Sequence, residues 1–100
     1  MYLYNITVIV ETDSAFDFLQ WVNANFVDKI MQTECFVSNR FLKIVDSPND
    51  GVSYCLQFIA ETLENYSDFK ENHEQTLLAQ LYTQFDQKLV TFSTLMEFLP

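Results

Sequence analysis

Apolar and polar residues alternate over the first ten positions. Tyr2, Tyr4, Ile6, Val8 and Val10 fall on one side, and Leu3, Asn5, Thr7, Ile9 and Glu11 on the other. A period of two predicts a half-buried β-strand. Residues 11–14 break the alternation, and Ser14 followed by Asp17 has capping-box spacing with Asp in place of Glu. Ala15, Phe18, Leu19, Val22, Phe26 and Ile30 then recur at helical spacing, so residues 14–32 read as one amphipathic helix, with Phe16 and Trp21 beside the stripe. A second strand is expected over 35–46. The turn cluster DSPNDG follows at 46–51, and a third strand over 52–60. From Thr62 the period becomes helical again. Leu63, Tyr66, His73, Leu77 and Leu81 mark one face with Phe69 alongside, as far as Phe85, and Asn72 is a point where the helix can bend. Residues 88–96 are rich in β-branched and aromatic side chains and read as a closing strand.

The order βαββαβ, with right-handed crossovers, predicts an α+β ferredoxin-like fold. Its four-stranded antiparallel sheet carries two helices on one face. Pairing Val45 with Val52 across the turn sets a trial register. Asn39, Phe41, Lys43 and Val45 then share the helix side with Val52, Tyr54, Leu56 and Phe58. Ser38, Arg40, Leu42 and Ile44 share the other side with Ser53, Cys55, Gln57 and Ile59. Strand one adds Leu3, Asn5, Thr7 and Ile9 to that second side, and strand four adds either Leu89, Thr91, Ser93 and Leu95 or the alternate set. A one-residue slip would exchange the faces of a strand. The uncovered side is too polar for a dry core and too uncharged for a solvated surface. It suits a sheet packed on a copy of itself around a partly polar cavity, a dimeric α/β barrel; the alternative is a solvated sheet face with a few apolar residues. The same register puts Cys55 opposite Leu42, roughly 23 Å along the sheet from Cys35. Two free thiols are expected, because a disulfide needs Cα atoms within about 7 Å.

Composition sharpens this picture. One hundred residues with one Gly and two Pro make a single domain, 1–100. Ten Phe, five Tyr and one Trp are more apolar bulk than one small core usually hides, which favours a subunit interface. Five cationic residues stand against fourteen acidic ones, for a net charge of −9. That charge repels nucleic acid and anionic membranes, so neither is an expected partner, and an RNA-binding sheet of the same βαββαβ order is disfavoured. The N-terminal run lacks a basic region and alternates, so it reads as a strand and not a leader or membrane span. A cytoplasmic protein with reduced thiols is expected. No metal-type cysteine spacing, Gly-rich phosphate loop or nucleophile motif is present, so no cofactor and no metal are expected.

Five residues are candidates for binding: Arg40, Gln57, Asn5, Thr7 and His73. A mid-strand arginine keeps its charge, so burial requires a partner: a ligand carboxylate or phosphate held bidentately, or an acid such as Glu11 or one from a partner chain; the alternative is that it snorkels to the sheet edge. Gln57, Asn5 and Thr7 lie on the cavity side, where they can orient a ligand or satisfy each other. His73 is the one histidine. It can act as a base only with a partner and a cleft, Lys70 and Gln80 being the nearest candidates, and is otherwise a packed helix residue. Cys55 reads as a small buried hydrophobe. Glu61, Glu64, Asp68, Glu71 and Glu74 read as a solvated helix face.

The segments YLYNITVIVE, SNRFLKIVD, SYCLQFIAET and ENHEQTLLAQLYTQF resemble, in order and over nearly the whole chain, a family of short bacterial proteins defined as a domain of unknown function. The resemblance implies a dimeric α/β-barrel, ferredoxin-like fold. It singles out Tyr4, Asn5, Arg40, Gln57 and His73 as candidate site residues, and implies no activity, since fold does not fix function. The expectation is a homodimeric module that binds a small molecule or a protein through the uncovered sheet face. The alternative is a cofactor-independent monooxygenase or isomerase acting there on a small anionic substrate.

Overall fold

The computed structural model describes residues 1–48 and 50–100. Four antiparallel strands, β1 (Tyr2–Val10), β2 (Ser38–Lys43), β3 (Val52–Ala60) and β4 (Leu89–Glu97), form one sheet in the order β2-β3-β1-β4. The long apolar strands β1 and β3 take the centre and the polar, short β2 takes an edge, where charge protects against stray pairing. At the other edge, Tyr82 places its hydroxyl against the backbone N–H of Thr91 in β4, 2.9 Å away.

All the helices lie on one face. The first helical segment is not the single helix that its stripe suggests. A 3-10 turn (Thr12–Ser14) leads into α1 (Ala15–Trp21), a π-turn follows over Val22–Phe26, and α2 (Val27–Gln32) completes it. The buried residues Phe18, Val22, Phe26 and Ile30 are spaced strictly by four. In an ideal α-helix such a row drifts by about 40° per step, and the wider π-turn cancels part of that drift. Ser14 makes no side-chain cap, so the expected capping box is absent.

The second helical segment is broken in two. Thr62 accepts a hydrogen bond from the Asn65 N–H at 3.1 Å and caps α3 (Leu63–Asn72). His73 leaves helical geometry, with φ −131°, and α4 (Glu74–Gln84) follows. Phe69 belongs to the core, whereas Leu63, expected on the apolar face, is half exposed.

The core lies between this layer and the sheet. Tyr4, Ile6, Val8 and Val10 of β1 and Tyr54, Leu56, Phe58 and Ala60 of β3 pack on Phe18, Val22, Phe26, Ile30, Phe69, Leu77 and Leu81. Cys35 and Phe36 are both buried, and two consecutive buried residues do not fit strand alternation. Both therefore precede β2, which begins later than the pattern suggests. Asn49 of the predicted turn lies outside the described residues. Gly51 enters β3 with φ +87°, and a Cβ there would stand 2.5 Å from the Val10 carbonyl oxygen. Cys35 and Cys55 are free thiols, as expected.

Candidate functional site

The trial register holds: Arg40 pairs with Gln57 and Leu42 with Cys55. In the central pairs Asn5 lies opposite Gln57 and, on its other side, opposite Thr94. Arg40, Gln57, Asn5 and Thr94 therefore form one row across all four strands. Alternation puts this row on the face away from the helices. Of the two sets considered for β4, the alternate one, Val90, Phe92, Thr94 and Met96, occupies that face.

Three of the four row members are joined by directional hydrogen bonds. Arg40 Nε donates to Gln57 Oε1 at 2.7 Å, and Gln57 Nε2 donates to Asn5 Oδ1 at 3.2 Å. Asn5 Nδ2 then donates to Thr7 Oγ1 at 2.9 Å, and Thr7 Oγ1 lies 3.8 Å from Cys55 Sγ. Each amide spends its carbonyl on one neighbour and an N–H on the next, which fixes both orientations. Asn5 is buried, yet fully partnered. Arg40 is exposed, and among the described residues no carboxylate lies within ion-pair distance of it. Glu11 is not its partner. A guanidinium has five N–H donors, and among the described residues the hydrogen bonds of Arg40 use only the one on Nε. The terminal fork is thus free for a planar or tetrahedral anion.

Apolar rows flank the polar one. Leu3, Ile59 and Met96 lie on one side. Leu42 and Phe92 lie on the other, next to Cys55 and Thr7, with Ile44, Ile9 and Val90 beyond. Leu42, Ile44, Val90, Phe92 and Met96 are all exposed large hydrophobics, Phe92 at 58%. Such a contiguous apolar surface around an anchored cation is unusual for a monomer. In a single chain the face is open. Open clefts lie at the sheet end, lined by Ile9, Glu11, Asp50, Lys88 and Val90, and on the helices, lined by Trp21, Lys29, Gln80 and Thr83.

His73 does not join this row. It lies among the helices, with its ring 6.2 Å from that of Phe69, on the opposite side of the sheet. Neither Lys70 nor Gln80 serves it: Lys70 pairs with Glu74 at 3.7 Å, and Gln80 accepts from Lys29 at 3.2 Å. Its neighbours are Cys35 and Asp68, and one ligand atom from each of the three lies within 4.8 Å of the others. Cys35 Sγ donates to Asp68 Oδ2 at 3.3 Å, and Asn72 Nδ2 donates to Asp68 Oδ1 at 2.6 Å. The hydrogen bonds from Asn72 and Cys35 hold the Asp68 carboxyl below its ordinary range, and burial pushes the Cys35 thiol up.

The acidic face of the second helical segment is not uniformly solvated. Glu74 keeps 16% of its side chain exposed and accepts a 2.6 Å hydrogen bond from the buried Tyr4 hydroxyl. Burial first, then the Glu74 hydrogen bond, drives the Tyr4 phenol far above its ordinary range. The Lys70–Glu74 spacing of four was the available signal that one of the five acids differs from the rest.

The comparisons with known proteins agree with this geometry. The family model described as "Domain of unknown function (DUF4286)" matches residues 1–99. The chain belongs to that family. No curated protein matches it. Among solved structures it is similar to a protein described as an antibiotic biosynthesis monooxygenase of Nitrosomonas europaea, at 14% identity and TM-score 0.70, covering 100% of both chains. It is also similar to an ethyl tert-butyl ether D family protein of Bacillus halodurans, at 10% identity and TM-score 0.67, over 99% of this chain and 100% of that one. A monooxygenase of Streptomyces coelicolor in complex with Nanaomycin D matches at 13% identity and TM-score 0.59, over 99% and 91%. At these identities the likeness is one of fold, and it is the ferredoxin-like α+β fold. Among the described residues no helix is long and apolar enough to cross a membrane.

Proposed function

We propose that this DUF4286 protein is a cytoplasmic homodimer whose two uncovered sheet faces close around a cavity that binds a small anionic molecule. Arg40 holds the anion, and Gln57, Asn5 and Thr7 fix the guanidinium and line the floor. The observation that carries this reading is the polar row itself: one oriented cation with its terminal fork unspent, ringed by exposed hydrophobics. The area is sufficient. Three strands of nine residues and one of six, about 4.8 Å apart at roughly 3.3 Å per residue, present about 520 Å² per copy. Two copies bury about 1,050 Å², close to the roughly 1,000 Å² expected of a specific interface.

A second reading is favoured by the fold neighbours, two of which carry monooxygenase in their descriptions. In it the same cavity performs cofactor-independent oxygenation or isomerisation. The test is a thermal-shift screen of small carboxylates and phosphates at low ionic strength. A ligand at a hundred times its Kd adds about 2.7 kcal/mol, or more than about 10 °C for a domain of this size. A class of anion that stabilises the protein, with the shift lost in Arg40→Gln, is expected. Shifts that persist in Arg40→Gln would remove Arg40 from the site. Turnover of the stabilising ligand would select the second reading.

A further inference from the structure

The cluster on the helix side is independent of the sheet-face site and has its own chemistry. Cys35, Asp68 and His73 come from two segments that the fold brings together: the loop before β2, and the junction of α3 with α4. No spacing motif announces them. Two local features converge on their meeting. In an unbroken α-helix, residues five apart point about 140° away from each other, so Asp68 and His73 would diverge. The break at His73, with φ −131° and ψ −35°, turns its side chain back toward Asp68. Asn72, the residue just before the break, grips Asp68 Oδ1 at 2.6 Å and leaves Oδ2 facing Cys35. This is the kind of outer hydrogen bond that orients a ligating carboxylate.

We propose that Cys35, Asp68 and His73 form a binding site for a thiophilic divalent cation, Zn²⁺ by the chemistry of its ligands. One sulfur, one carboxylate oxygen and one imidazole nitrogen are the donor types that zinc accepts. In a tetrahedral site with bonds of about 2.0–2.3 Å, donor atoms stand roughly 3.3–3.5 Å apart. Cys35 Sγ and Asp68 Oδ2 are already 3.3 Å apart, and the whole set lies within 4.8 Å, so side-chain rotation closes it. The cation replaces the thiol proton that Cys35 now shares with Asp68, and that proton leaves to solvent. Thiolate, carboxylate and neutral imidazole then balance a 2+ charge, which suits a site whose sulfur is buried. Asp68 is exposed, so the fourth position opens to water. Three protein ligands with an open fourth position are the pattern of reactive rather than purely structural zinc.

The test uses Co²⁺ as a spectroscopic probe of the purified full chain, followed by displacement with Zn²⁺. One Co²⁺ per chain with thiolate-to-metal charge-transfer absorption is expected, and Zn²⁺ should abolish it. Cys35→Ser should lose the band, and Cys55→Ser should keep it. Asp68→Asn and His73→Gln, at positions outside the core, should weaken binding by at least about tenfold while leaving the circular dichroism intact. These two variants decide the question even if Cys35→Ser fails to fold. No thiolate band, a band lost in Cys55→Ser, or affinity unchanged in both Asp68→Asn and His73→Gln would overturn the proposal.

Discussion

Replacing Tyr4 by Phe tests whether its polar contact, buried against the core, is a charge-assisted hydrogen bond. The hydroxyl donates to Glu74 Oε2 at 2.6 Å and lies 3.5 Å from Ser93 Oγ. Tyr4→Phe keeps the ring and its packing on Phe36, Tyr66 and Phe69. It removes the donor from a carboxylate with only 16% of its side chain exposed, whose remaining partner is Lys70 at 3.7 Å. A hydrogen bond to a charged group contributes about 1.5–3 kcal/mol, so a loss of about 2 kcal/mol is expected at pH 7. In a domain of this size that lowers Tm by roughly 8–16 °C. The pH dependence separates this bond from a packing effect. Burial and Glu74 raise the Tyr4 phenol above its ordinary value of 10.0. Above that pH the unfolded chain releases a proton that the folded chain retains. The stabilisation is therefore complete below pH 10 and declines as pH rises, by about 1.4 kcal/mol per unit. Phe has no such proton, so the gap between the two proteins narrows above pH 10 and is about closed near pH 11.5. Tyr54 and Cys35, also shifted upward, titrate identically in both proteins and cancel in the difference. Urea unfolding followed by the fluorescence of Trp21, at one protein concentration from pH 7 to 11.5, measures the gap. A loss under about 0.5 kcal/mol, or a gap constant across that range, would mean that the Tyr4–Glu74 contact is not a charge-assisted hydrogen bond.

Three further outcomes are expected. Phe92→Glu puts a charge at an exposed position of the uncovered face, so light scattering should report a monomer with near wild-type circular dichroism; an intact dimer would move the interface elsewhere. Arg40→Gln should leave the oligomer unchanged in the same measurement while abolishing anion-induced thermal shifts. Gly51→Ala should cost about 2 kcal/mol or more in urea unfolding, because its backbone sits at φ +87° and its Cβ would meet the Val10 carbonyl; a neutral result would mean that the turn relaxes.

The sheet was the most legible part of the molecule. Alternation in 2–10 and 52–60 assigns inner and outer faces, and one hairpin pairing then fixes the partners of β2 on β3, Arg40 with Gln57 among them. Arg40, Gln57 and Asn5 were readable as sharing the uncovered face for the same reason, whereas the register of β1 with its two neighbours and the face of β4 depend on pairings that no tight turn sets. The helices were less legible because periodicity reports a face and not a break. The spacing by four from Phe18 to Ile30 was the trace of the π-turn, but a continuous helix carries the same stripe approximately. Asn72 marked the place of the second break without its consequence, which is that His73 turns toward Asp68 and Cys35. His73 fell outside the sheet-face site because an apolar helix face points to the opposite side of the sheet. Glu74 was hidden among acids of equal charge: its spacing of four from Lys70 marked a candidate ion pair, and the tertiary approach of Tyr4 gives it its buried hydrogen bond.

Closure of the uncovered sheet face on a second copy, around Arg40, is what the proposed function requires. Native mass spectrometry of freshly purified protein reports assembly and retained ligand in one spectrum. The expected result is a species of twice 11.8 kDa that carries additional small-molecule mass, with that mass lost in Arg40→Gln and the dimer lost in Phe92→Glu. A wild-type spectrum showing only the 11.8 kDa chain at micromolar concentration would contradict it.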